Sequence, residues 1–139
     1  MMEGILTVGA VIFNGKKVLL VKHKEGAEHI TGTYGFPAGK VIDNEEIKDA
    51  LIREVKEETG FDVQPVRLIN RIWFAEIERK SGERKKFGLI LYLCKIIGGE
   101  MLEGDETKPE WIDISDLDKI KFVEPNTKDV ILRIYNSKL

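Results

Sequence analysis

The sequence predicts a single α/β (α+β) domain over residues 1–139, a mixed β-sheet flanked by two helices. Three observations carry this. β-Rich runs surround Asn14-Gly15 and again Ser81-Gly82. One strongly amphipathic helical pattern, closed by Gly60, lies between them. A second helical pattern follows Pro125. Strands on both sides of a central helix, with another helix at the C-terminal end, make a sheet covered by helices. A chain of this length buries a real core.

Taken in order, "ILTVGAVIF" and "KKVLLVKH" read as two strands around Asn14-Gly15, a two-residue hairpin signal. "HKEGAEHITGTYGFPAG" is dense in glycine and turn formers and reads as a functional loop. The helix that follows is expected to begin at Asp43, with Glu46 three residues on completing a capping box. Ile47, Ala50, Leu51 and Val55 recur at helical spacing as its buried stripe, and Gly60 stops it. "VRLINRIWFAEIERK" and "ERKKFGLILYLCKII" read as two long strands joined at Ser81-Gly82. An acidic loop, "GGEMLEGDETKPE", leads to the short strand "WIDI", and a brief helix starts near Ser115 or Asp116. Pro125 fits the first position of a last helix whose apolar face is Val130, Ile131, Ile134 and Tyr135.

Composition narrows the function. With Lys+Arg 22 against Asp+Glu 24 there is no global charge to attract a nucleic-acid polymer. No apolar run approaches the ~20 residues of a membrane helix. The reading is a soluble, cytoplasmic protein, monomer or homodimer, acting on a small molecule. The one cysteine, Cys94, sits in an apolar run and reads as core packing.

The chemistry is concentrated in "GKVIDNEEIKDALIREVKEETGF". Glu54, Glu57 and Glu58 are related by i+3 and i+4, so their carboxylates share one face of the helix. They crowd its C-terminal end, where the macrodipole favours positive charge. Hard oxygen ligands in that number suit Mg²⁺, with Mn²⁺ as the alternative.

The stretch reads G-x5-E-x7-R-E-V-x-E-E-x-G-F from Gly39 to Phe61. It resembles the signature box of the Nudix hydrolases at every defining position. The strand hairpin before it, "YGFPAGK" leading into it and the tryptophan strand after an acidic loop extend the resemblance over nearly the whole chain. Ala38 departs from the second glycine that many members carry there. The resemblance implies an α/β/α sandwich and hydrolysis of a nucleoside diphosphate linked to another group. It implies metal ligation by Glu57, Glu58, the Gly39 carbonyl and Glu54, the last also activating water. Glu45 and Arg53 would tie loop to helix, and Gly60 would end the helix. An acid of the loop before Trp111 would complete the metal site, with Glu106 first, Asp105 second, and Glu103 and Glu110 also in reach.

The expected substrate is a purine nucleoside triphosphate, ordinary or oxidised, cleaved to monophosphate and pyrophosphate. It rests on a resemblance of "EGDETKPEWIDISDLDKIKFVEPNT" to MutT-type sanitising enzymes, in which an asparagine beyond the tryptophan, here Asn126, reads the purine. Lys24 and Lys40 are candidate phosphate contacts, Phe74 (with Trp73 and Phe122) a candidate base stacker, and His23 and His29 flank the glycine-rich loop. The alternatives are ADP-ribose or diadenosine polyphosphates. Further off stand an RNA 5′ end held by the basic tip "RKSGERKKF" and a non-catalytic nucleotide-binding module.

Overall fold

Strand β1 (Gly4–Val11) lies at the centre of the molecule, and its alternation decides what packs on each side. The computed structural model describes residues 4–137, and for residues 70–73 the backbone alone. Val8 and Ala10, with Ile12 just beyond the strand, enter one buried cluster with Ala50, Leu51 and Val55 of helix α1 (Ile47–Thr59). Val11 enters a second cluster with Leu91, Leu117 and, from helix α2 (Thr127–Asn136), Ile131 and Ile134. The two helices therefore cover opposite sides of β1, and each fully buried aliphatic contributes ~1.5–3 kcal/mol.

The expected mixed sheet between helices is present, and a second four-stranded sheet accompanies it. The first runs β5-β1-β7-β6, with β5 at Ala38–Lys40, β6 at Phe61–Glu78 and β7 at Arg84–Gly99. It is mixed, since β1 and β7 pair parallel from Gly4↔Lys86 to Val11↔Leu93 and the other pairs are antiparallel. In the second, β3 (Lys17–His23) pairs β2 (Phe13–Asn14), β4 (Tyr34–Gly35) and β8 (Thr107–Asp113). The N-terminal runs thus do not form one long hairpin. Only β2 and β3 pair there, and the two loop residues are Gly15-Lys16, one further along, with Gly15 at φ +58. The chain changes sheets at Ile12, which is why Val18 to Val21 are all buried.

Other boundaries moved for physical reasons. The glycine-rich loop contains the short strands β4 and β5. The capping box does not form: α1 starts at Ile47, and its N-cap Glu46 makes no side-chain cap bond. Asn44 takes φ 66, and Glu45 reaches back to the Ile42 amide at 3.3 Å. The β6–β7 hairpin turns at Ser81-Gly82 as expected, with both strands longer than their apolar cores. Asp113 accepts bonds from the Ser115 amide at 2.9 Å and hydroxyl at 2.8 Å, opening a 3₁₀ turn over Ile114–Lys119. Pro125 precedes α2 by two residues instead of opening it. Cys94 is buried, and its burial pushes the thiol up to about 12, as a core residue requires.

Gly60 ends α1 with φ +82, and a Cβ there would stand 2.2 Å from the Glu100 carbonyl oxygen. Gly60→Ala is therefore expected to cost at least ~1–3 kcal/mol. Urea melts would read this as a lower midpoint at unchanged slope.

Candidate active site

Arg53 organises the carboxylates at the end of α1. Its Nε and Nη2 donate to Glu45 at 2.8 and 2.9 Å, in the bidentate geometry that guanidinium matches best. Nη1 donates to Glu54 at 2.7 Å and, at 3.4 Å, to Glu57; Nη2 also meets the Lys40 carbonyl at 3.1 Å. All five of its N–H donors are used. The loop before the helix, the helix and β5 are locked together through one side chain.

Strand β5 then brings two acids side by side. A Cβ on Gly39 would lie 2.0 Å from the Glu54 carboxyl carbon, so glycine is required for that carboxylate to be where it is. The next residue back, Ala38, donates its amide to Glu58 Oε1 at 2.6 Å. Burial, opposed by that single bond, pushes Glu58 well above the ordinary carboxylate range, and Glu54, Glu57 and Glu106 push it further. Glu54 is also raised, by burial first, with Arg53 opposing. Among the described residues no three acidic, histidine or cysteine side chains yet converge as an ion cage. Glu54 and Glu57 are instead drawn onto Arg53.

A cavity of about 320 Å³ includes this patch, with Gly39, Lys40, Glu54, Glu58 and Glu106 among its lining residues. Among the candidate loop acids, Glu106 is the one that lines it. Glu103 sits 3.4 Å from Lys24, and Glu110 accepts from the Tyr34 hydroxyl at 2.8 Å.

The substrate contacts expected from sequence are redistributed. Lys24 lies outside the cavity wall, with its Nζ donating to the Gly104 carbonyl at 2.7 Å, so it pins the acidic loop. Phe74 is 64% exposed and points away, because Ala75, Ile77 and Arg79 take the cavity side and strand residues alternate. Phe122 packs in the second core cluster, and the Trp73 side chain lies outside the described residues. Asn126 is exposed and turned onto Glu124: its Nδ2 donates to Oε1 at 3.0 Å and its amide to Oε2 at 2.8 Å. The cavity group here is Glu124, half-buried and raised by burial against those two bonds. Sequence reasoning missed Glu124 and Thr127, although both neighbour Asn126. Arg79, expected at the basic hairpin tip, instead lines the cavity, brought in by a β-bridge to His29.

The NUDIX domain family profile matches residues 5–134. The chain belongs to the Nudix family. It is 30% identical to an ADP-ribose pyrophosphatase of Methanocaldococcus jannaschii, over 84% of this chain and 66% of that protein. To an oxidized purine nucleoside triphosphate hydrolase of Danio rerio it is 33% identical, over 91% of this chain and 75% of that one. Its fold superposes on a Nudix hydrolase from Nitrosomonas europaea with TM-score 0.79 and 22% identity, covering 98% and 90% of the two chains. The chain thus spans about two thirds of the archaeal relative's length.

Nudix hydrolases use divalent metal ions, and the residues present fit one. Glu58 is a buried carboxylate that accepts the Ala38 amide, facing three further carboxylates, and the Arg53 guanidinium is already shared. Hard oxygen donors around a charge deficit suit a hard cation.

The same charges set a pH dependence. A carboxyl raised in the folded state binds more protons there than when unfolded, so stability falls as pH climbs from its ordinary value to its folded one. In EDTA, Glu58→Gln is expected to melt above wild type at pH 7.5, its amide oxygen still accepting from Ala38. The gap should close towards pH 4.5; a constant gap across that range would mean Glu58 does not titrate high.

Proposed function

We infer that this Nudix hydrolase is a Mg²⁺-dependent enzyme cleaving a purine nucleoside triphosphate to monophosphate and pyrophosphate. The observation that carries it is that one cavity is lined both by the carboxylates Glu54, Glu58 and Glu106, which suit a metal, and by the half-buried Glu124, braced by Asn126. A carboxyl group reads donors on a base edge, or donates itself when protonated. The name of the fish relative, which covers most of this chain, supports the same substrate class.

Glu57, Glu58, Glu54, Glu106 and the Gly39 carbonyl would hold the ion. Bound Mg²⁺, or Mn²⁺ in its place, neutralises phosphate oxygens and makes water a better nucleophile. Glu54, in a site that burial has already made more basic, takes the proton of the attacking water. The water oxygen adds to phosphorus, the bond to the bridging oxygen breaks, and pyrophosphate leaves with that electron pair. Lys40, exposed at the cavity rim, is placed to meet an outgoing phosphate.

Turnover of the four dNTPs, 8-oxo-dGTP, ADP-ribose and diadenosine polyphosphates, with products identified, tests the reading. A purine triphosphate is expected to lead; ADP-ribose leading would overturn it in favour of the archaeal relative's substrate. Glu57→Gln and Glu58→Gln should each lower kcat/KM at least ~100-fold, and Glu54→Gln should depress kcat far more than KM. Glu124→Gln should cost purine triphosphates about tenfold in kcat/KM and spare pyrimidines. Asn126→Ala, acting through Glu124, should follow it in the same direction with a smaller loss.

A further inference from the structure

Neighbouring residues of a strand face opposite ways, yet Glu106 and Thr107 both line the cavity. The chain bends at Asp105 and Glu106, immediately before β8 begins at Thr107. The β3–β8 ladder ends at His23↔Thr107, so Glu106 stands one step beyond regular pairing. Its charge adds to those that raise the buried Glu58 carboxyl, so the two acids are near each other. Glu58 is fixed by its helix and by Ala38. Glu106 is fixed by whatever holds the bend.

Part of the hold comes from α1. The Leu102 amide donates to the Thr59 carbonyl at 2.8 Å, and the Gly104 amide to the Thr107 carbonyl at 2.9 Å. Gly104 lies so close to the helix that a Cβ there would stand 2.9 Å from the Glu57 carbonyl oxygen. The rest comes from Lys24, the first residue after β3. Its amide donates to the Glu106 carbonyl at 2.8 Å and its Nζ to the Gly104 carbonyl at 2.7 Å. These two carbonyls bracket Asp105, so one lysine grips the bend on both sides. Nζ also meets the Glu103 carboxylate at 3.4 Å, and an ammonium with three donors can serve both partners. The amide bond survives any replacement of the side chain, and the Nζ bond does not.

We propose that Lys24 is a positioning residue of the metal site, presenting the Glu106 carboxylate to the cation beside Glu58 by holding the Gly104 and Glu106 carbonyls. This rests on the reading of Glu106 as a metal ligand, and on neither the base nor the leaving group of the substrate. Lys24 itself touches neither ion nor nucleotide.

The test is Mn²⁺ binding to the full-length, nucleotide-free protein, followed by the electron paramagnetic resonance of the free ion. Lys24→Met is expected to weaken Mn²⁺ about tenfold, and Glu106→Gln at least as much. The double variant should bind no more weakly than Glu106→Gln alone, because the lysine acts only through that carboxylate. Lys24→Arg, which keeps a charged donor, should recover most of the affinity. In turnover, Lys24→Met should need more Mg²⁺ to reach half its maximal rate. At saturating Mg²⁺ its kcat should return to within about twofold of wild type, with KM for the nucleotide unchanged. Wild-type Mn²⁺ affinity in Lys24→Met, with a nucleotide KM raised at every Mg²⁺ concentration, is the pattern of a phosphate contact and would overturn the proposal. Losses that add in the double variant would overturn it too. If Glu57→Gln and Glu58→Gln bind Mn²⁺ as wild type does, the metal reading falls and this proposal with it. A loss in those two with none in Lys24→Met removes only the role of Lys24.

Discussion

The arrangement depends on one guanidinium. Arg53 spends five donors on Glu45, Glu54, Glu57 and the Lys40 carbonyl, and so joins the loop before α1, the helix and β5. A lysine could not do this, because a point charge with three donors cannot serve partners in a fixed fork. Once β5 is fixed against α1, Gly39 gives room to the Glu54 carboxylate and Ala38 holds Glu58. The missing capping box follows from the same constraint. Glu45 is committed to Arg53 and the Ile42 amide, so the chain ahead of the helix takes the path those bonds demand.

Arg53 alone cannot balance Glu45, Glu54, Glu57 and Glu58, and its pairings leave Glu58 out. Glu57 is largely exposed and repels least, whereas Glu54 and Glu58 are desolvated beside each other. That is a poor way to stabilise a helix end and a good way to hold a cation, whose binding energy is then partly the relief of repulsion. Arg53 also competes for Glu54 and Glu57. Cation binding and the Arg53 pairings are therefore linked, and the loop carrying Lys40 feels both.

What was legible in the sequence was whatever depends on near neighbours. The buried stripe of α1 and its glycine stop follow from 3.6-residue spacing, and the structure has both in place, whereas Glu54 and Glu57 turn onto Arg53 instead of closing on Glu58. The two long strands turning at Ser81-Gly82 were equally local. The sheet change at Ile12 was not, because two β-rich runs around Asn-Gly read alike whether they pair with each other or with distant strands. Phe74 shows the limit sharply: an aromatic beside a cavity residue is, by the period of a strand, on the other side. Lys24 and Asn126 were misplaced because each found a closer partner, Gly104 with Glu103 and Glu124 respectively, across loops no pattern predicts.

The cavity wall draws on far more of the chain than the helix that carries the glutamates. Of the acidic lining, Glu54 and Glu58 come with Gly39 from one continuous stretch, residues 39 to 60, locked by Arg53, and Glu106 comes from just ahead of β8. The remaining wall comes from β3, the loop after it, the β6–β7 hairpin and the approach to α2, segments distant in sequence. A change in any one of them alters what is bound without disturbing the Arg53 network. Metal ligation and the rest of the lining thus rest on separate parts of the chain, and the residues of the box do not by themselves name a substrate.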